Sequence, residues 1–95
     1  MQESKLLRPV GKNIRDARLQ ANLTQECLAE LVGIHWQTIS CIERGVYPVS
    51  LVTFAKLCQH LEVSPNRLLD GLPAPDAKRA KRIRKALARK RRPSA

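Results

Sequence analysis

The segment Thr24 to Gly45, TQECLAELVGIHWQTISCIERG, constrains the fold more than any other part of the chain. Thr24 is a good helix N-cap, and Gln25 and Glu26 sit in the first turn, where side chains of this kind are favourable. Leu28, Ala29 and Val32 recur at helical spacing on one face, and Gly33 can reverse the chain after them. A second short helix is predicted from Trp36 to Arg44, burying Ile39 and Ile42 and ending at Gly45. Ala29 is small enough to let the two helices approach closely, and Ile34 and Ile39 can fill the angle between them. The outward positions of the second helix are polar, which a purely structural helix would not require. Two short helices joined in this way form a helix-turn-helix.

Helix signals also flank this unit. Val10, Ile14, Ala17 and Ala21 recur at three- and four-residue spacing and predict a first helix over Val10 to Ala21, with Asn22 able to end it in the left-handed conformation. After Pro48, Ser50 can cap a further helix whose buried face would be Leu51, Phe54, Leu57, Cys58 and Leu61. Ser64-Pro65 is an N-cap followed by proline at the first helical position, where the missing N–H is harmless. It predicts a last body helix over Pro65 to Leu69, with Leu68 and Leu69 inward and Gly71 ending it. The expected fold is all-α: a compact five-helix bundle containing a helix-turn-helix, with a basic C-terminal tail. Aromatic residues make up only 3% of the chain, so the core should be aliphatic.

The 95 residues hold 18 Lys plus Arg against 8 Asp plus Glu, a net charge of +10 that points to a polyanionic partner. The charge is unevenly placed. Residues 1–75 hold eight basic and seven acidic residues, for +1, whereas residues 76–95 hold ten basic residues and only Asp76, for +9. Pro73-Ala74-Pro75 reads as a stiff connector between the two. The organisation expected is an N-terminal arm over 1–9, a helix-turn-helix domain over 10–72, and a linker and tail over 73–95. The tail is rich in helix-forming Ala, Lys, Arg and Leu, with Asp76 placed to cap it and Ala80, Ile83 and Leu87 at helical spacing. Its like charges repel, so it should be largely disordered alone and helical when bound to phosphates. Lys78, Arg79, Lys81, Arg82, Arg84, Lys85, Arg89, Lys90, Arg91 and Arg92 are the candidate non-specific contacts. A solvated solubility tail is the alternative, with a membrane-surface helix or a nuclear-import signal as lesser readings.

Other classes find little support. No apolar run is long enough to span a bilayer, and the N-terminus lacks the apolar stretch of a signal peptide. Cys27, Cys41 and Cys58 are widely spaced and form no ligand pattern with His35 or His60, so no metal or cofactor is expected. No nucleophile elbow, phosphate loop or paired carboxylates are visible, so the chain is not expected to be an enzyme. Cys27, Leu31 and Val52 fall at solvent positions. Cys58 reads as core packing and His60 as an exposed polar residue.

The stretches IRDARLQANLTQ, the LA of ECLAELVG, TISCIERG and SLVTFAKLCQHLEVSPNRLL, in that order, resemble the Cro/lambda-repressor-like (Xre-type) family of bacterial and phage transcriptional regulators. The resemblance spans about Val10 to Asp70. It implies a cytoplasmic, sequence-specific regulator of double-stranded DNA, expected to be a repressor or autoregulator, whose recognition helix, about 36–44, enters the major groove. Trp36 and Gln37 match the family's main base-reading positions, and Cys41 another groove-facing one. Gln25, Thr38, Ser40 and Arg44 match phosphate-contacting positions, and Arg18 and Glu43 an ion pair tying the first helix to the third. The resemblance also implies a homodimer through about 63–72, on half-sites about 34–36 Å apart. An antitoxin-like protein that binds a partner and represses its own operon, or a general basic nucleic-acid-binding protein, is the alternative.

The chain departs from the family at three places. His35 is a poorer N-cap than Ser or Thr. Trp36 offers one N–H and a large apolar face, suited to thymine methyl or sugar contacts, or else to a place in the core. Cys41 is a poor hydrogen-bonding reader, which leaves Gln37 as the residue able to read adenine through its two-sided amide.

Overall fold

The computed structural model describes the backbone of residues 2–90 and the side chains of residues 4–88. Six helices follow one another: α1 (Gln2–Gln20), α2 (Gln25–Val32), α3 (Trp36–Glu43), α4 (Leu51–Leu61), α5 (Pro65–Leu68) and α6 (Ala77–Lys90). No strand occurs among the described residues. α1 packs on α3, α4 and α5, α2 on α3 and α4, and α4 on α5; α6 joins none of these pairs.

The local chemistry of the boundaries is as the residues suggest. Thr24 Oγ1 accepts the Cys27 N–H at 3.0 Å, Ser50 Oγ the Thr53 N–H at 3.1 Å, and Ser64 Oγ the Arg67 N–H at 3.3 Å. Each satisfies a backbone donor that the first turn of a helix leaves without an internal partner. Asn22 adopts φ 58°, and Gly33 reverses the chain after α2 at φ 82°.

The core is aliphatic: Val10, Ile14 and Ala17 of α1 meet Leu28, Ala29 and Val32, then Ile39 and Ile42, then Leu57, Cys58 and Leu61, with Leu68 closing the end. Three residues expected inward lie outside it. Leu51 is 81% exposed, Leu69 is 40% exposed, and Ala21 faces solvent. All three stand at helix edges, where the chain turns off the buried face: Ala21 just after α1, Leu51 at the first position of α4, and Leu69 as the C-cap of α5. Half-buried Val49, Phe54 and Val63 pack against the core at that side.

Two larger differences concern the ends. The stretch expected as an N-terminal arm is helical from Gln2, so α1 begins eight residues before Val10. Gln, Glu, Lys and Leu favour helix there. Pro9, in the third turn, leaves the Lys5 carbonyl without its N–H partner but does not end the helix. The tail, expected to be disordered when unbound, forms α6 instead. Asp76 caps it, with Oδ1 accepting the Arg79 N–H at 3.0 Å and its carbonyl the Ala80 N–H at 2.9 Å. Because α6 projects from the bundle, the radius of gyration is 17.4 Å, where about 12 Å is usual for a compact chain of this length.

Candidate nucleic-acid interface

A helix that reads DNA must be held rigidly on one side and left bare on the other. α3 meets both demands. Ile39 and Ile42 point into the core, and Glu43, in its last turn, is buried although charged. The Arg18 guanidinium grips it with two parallel bonds, Nε to Oε2 at 2.7 Å and Nη2 to Oε1 at 3.0 Å, and a third donor, Nη1, reaches the Leu23 carbonyl at 2.8 Å. Only 9% of the Arg18 side chain and 2% of the Glu43 side chain are exposed. The hydrogen bond that Arg18 donates to Glu43, opposed in part by burial, raises the Arg18 pKa above its ordinary value. The ion pair matched by family resemblance is thus a bidentate, buried clamp between α1 and α3.

Gln25 completes the clamp. Its amide nitrogen donates to Glu43 Oε1 at 3.1 Å, which ties the start of α2 to the end of α3. An amide nitrogen has two N–H donors, so the bond to Glu43 leaves one for another acceptor. A role for Gln25 in positioning α3 was not apparent from its place in the sequence.

Two glycines bring the backbones together at the same corner. A Cβ at Gly11 would stand 2.3 Å from the Ile42 carbonyl oxygen, and one at Gly45 would stand 2.8 Å from the Arg8 Cα. Gly45 also needs its positive φ of 74°. Gly11 was missed in the sequence because a glycine inside a helical pattern looks like a weakness, not a close contact. Asn13 was missed as well: its amide nitrogen donates to the Leu68 and Asp70 carbonyls at 3.0 and 2.7 Å, fastening α1 to the end of α5.

The opposite side of α3 is open. Trp36 and Gln37 are exposed in its first turn, and Trp36, at 43% exposure, is not a core anchor. The His35 and Trp36 rings stack with centroids 6.2 Å apart. His35 caps α3 after all, its Nδ1 accepting the Gln37 N–H at 3.2 Å, so the imidazole supplies the acceptor that a serine would have given. One turn on, Cys41 is half-buried, and the exposed Arg44 folds back over it, donating from Nη2 to Cys41 Sγ at 3.3 Å and from Nε to the Ser40 carbonyl at 3.4 Å. Thr38, half-buried, lines a crevice with Tyr47, Ser50 and Thr53, where α3 meets the start of α4. Tyr47 lies in the loop between those helices, and no local pattern distinguished it.

The tail residues lie apart from this surface in sequence. Lys78, Arg79, Lys81, Arg82, Arg84 and Lys85 are all exposed on α6. The side chains of Arg89 and Lys90, and the whole of Arg91 and Arg92, lie outside the described residues. Among the described residues no group of three or more His, Cys, Asp or Glu could hold a metal ion, and no helix is long and apolar enough to cross a membrane.

The sequence and the overall fold have counterparts among known proteins. A helix-turn-helix family model matches residues 14–68. The control protein C.BamHI of Bacillus amyloliquefaciens is 43% identical over 61 residues, 63% of this chain and 75% of that protein. The control protein C.SmaI of Serratia marcescens is 38% identical over 60 residues, 63% and 71% of the two chains. Among solved structures, the restriction-modification controller protein C.AhdI from Aeromonas hydrophila superposes with a TM-score of 0.63 at 37% identity, over 65% of this chain and 94% of its own. The chain belongs to the Cro/lambda-repressor-like (Xre-type) helix-turn-helix family. Its function is that of a sequence-specific, DNA-binding transcriptional regulator.

Proposed function

We propose that the chain acts as a homodimer on a two-fold operator, with α3 lying in the major groove of each half-site. Trp36, Gln37 and Cys41 read base edges, while Gln25, Thr38, Ser40 and Arg44 hold flanking phosphates. The observation that carries this reading is the asymmetry of α3: its C-terminal end is clamped by Arg18, Gln25 and Glu43, and its N-terminal residues Trp36 and Gln37 stand bare. Gln37 can pair with adenine through both faces of its amide, and the Trp36 indole suits a thymine methyl or sugar. The second N–H of Gln25 suits a phosphate oxygen near the N-terminus of α2, where the helix dipole also favours an anion.

Dimerisation through about 63–72 draws support from Leu69 and Leu72, two apolar side chains left exposed in that stretch. Restriction-modification controllers among the relatives support a role in controlling genes of that kind. Selection of bound duplexes from a random pool tests the reading directly. It should return a two-fold sequence with half-sites about 34–36 Å apart. Ultracentrifugation should find a dimer that Leu69→Asp dissociates. A pool with no symmetric preference, or a monomer both free and on DNA, would remove the proposal.

A further inference from the structure

The family match ends at residue 68, so it accounts neither for α6 nor for the first turns of α1. Three observations link these two segments. First, Leu6 and Lys5 of α1 line one crevice with Pro73, Pro75, Ala80 and Ile83, so the start of α6 faces the start of α1 across it. Second, the next turn of α1 abuts the end of the recognition helix, since Gly45 closes on the Arg8 backbone. Third, at about 100° per residue, Ala80, Ile83 and Leu87 share one side of α6, and Lys78, Arg82 and Lys85 lie on the opposite side. The side bearing Ala80 and Ile83 lines the crevice, which turns the other side to solvent.

Exposed cations are distributed along this path: Arg44 at the end of α3, Arg8 and Lys5 on α1, Arg79 beside Lys5 at the crevice, and Lys78, Arg82 and Lys85 on the solvent side of α6. None has a carboxylate partner among the described residues, where the recorded ion pair is Arg18–Glu43. Within a protein, such a track is self-repelling. A row of phosphates neutralises it.

We infer that the α1 start and α6 form a second DNA-binding surface, which grips the duplex backbone beyond the half-site read by α3. The inference rests on the operator reading above and extends it. α3 supplies sequence preference, and the track supplies sequence-independent affinity. Fourteen residues of α6 span about 21 Å, the length of about six base pairs.

The test uses the full chain, a Lys78→Gln/Arg82→Gln/Lys85→Gln variant and a Lys5→Gln variant. Glutamine matches Lys and Arg in helix propensity, and circular dichroism checks that α6 persists. The probes are duplexes recovered by random-pool selection, trimmed to the selected core or extended at each end by about one helical turn of arbitrary sequence. The full chain should bind the extended probe several-fold more tightly than the trimmed one. The triple variant should lose that gain, lower the slope of log K against log salt by about 2–3, and keep the same preferred sequence. Lys5→Gln should lower the slope by about 1. An unchanged gain and slope in the triple variant would overturn the inference and hand this face of α6 to an acidic protein partner. Should selection recover no preferred sequence, the operator reading fails. Short and long arbitrary duplexes then still measure the slope, and the inference about α6 stands or falls on it alone.

Discussion

From α1 to α5 the buried polar groups answer one another, whereas along α6 the described charged side chains answer no other described side chain. Arg18, Gln25 and Glu43 form one network, and Asn13 holds two carbonyls of the α5 end. No buried side-chain nitrogen or oxygen lacks a partner among the described residues. On α6, six described basic side chains are exposed and only the Asp76 cap contributes a local bond. Both regions are helical and both carry Arg residues, so the presence of arginine alone does not separate them. What separates them is whether the charge is desolvated. A buried guanidinium must be matched by a carboxylate in fixed geometry, while an exposed one can wait for a ligand.

The comparison can be broken most forcefully at Glu43. Glu43→Ala leaves Arg18 buried without its counter-ion and should lower stability by about 3–5 kcal/mol in urea unfolding. A loss under about 1 kcal/mol would mean that the clamp is effectively solvated. Gly11→Ala should come next, at about 1–3 kcal/mol, because the added methyl meets the Ile42 carbonyl and the two helices must part. Gln37→Ala should leave the melting temperature unchanged and reduce discrimination at one base position by about 1–3 kcal/mol in competition binding. This separates the bare face of α3 from its clamped one.

Burial pushes the Cys58 thiol above its ordinary value of 9.0, so the folded state favours the neutral form. Its contribution is therefore complete below about pH 9 and declines as pH rises further, when the unfolded chain can ionise and the folded one resists. Cys58→Ala should flatten the alkaline fall in stability measured between about pH 8 and 10. At the small end, Leu87→Gln on α6 should change the unfolding free energy of the bundle by no more than about 0.5 kcal/mol. A larger loss would mean that α6 is part of the folded core.

The order of body helices, their caps and most core positions could be read from the sequence, because Thr24, Ser50, Ser64 and the three- and four-residue apolar spacing act locally. Periodicity assigns a face but not the residue at which a helix leaves it, which is why Leu51 and Leu69 were placed inward. The start of α1 was obscured by Pro9, whose missing N–H weighs less than the helix-forming residues before it. Arg18 and Glu43 were found only through resemblance, and the bonds from Asn13 to α5 not at all. Those contacts join residues far apart in sequence, so they depend on the completed fold and leave no local pattern. For α6, charge repulsion was weighed correctly as a force, but the Asp76 cap and the helix formers behind it prevail.

The division of labour on α3 has an evolutionary corollary. Glu43, Ile39 and Ile42 fix the helix in place, and none of them faces the surface where Trp36 and Gln37 stand. Under the proposed reading, target preference and foldability are therefore written in different letters of the same short word. If those exposed side chains choose the operator as proposed, a lineage could drift through new operators by exchanging a few of them, with the scaffold neither helping nor objecting.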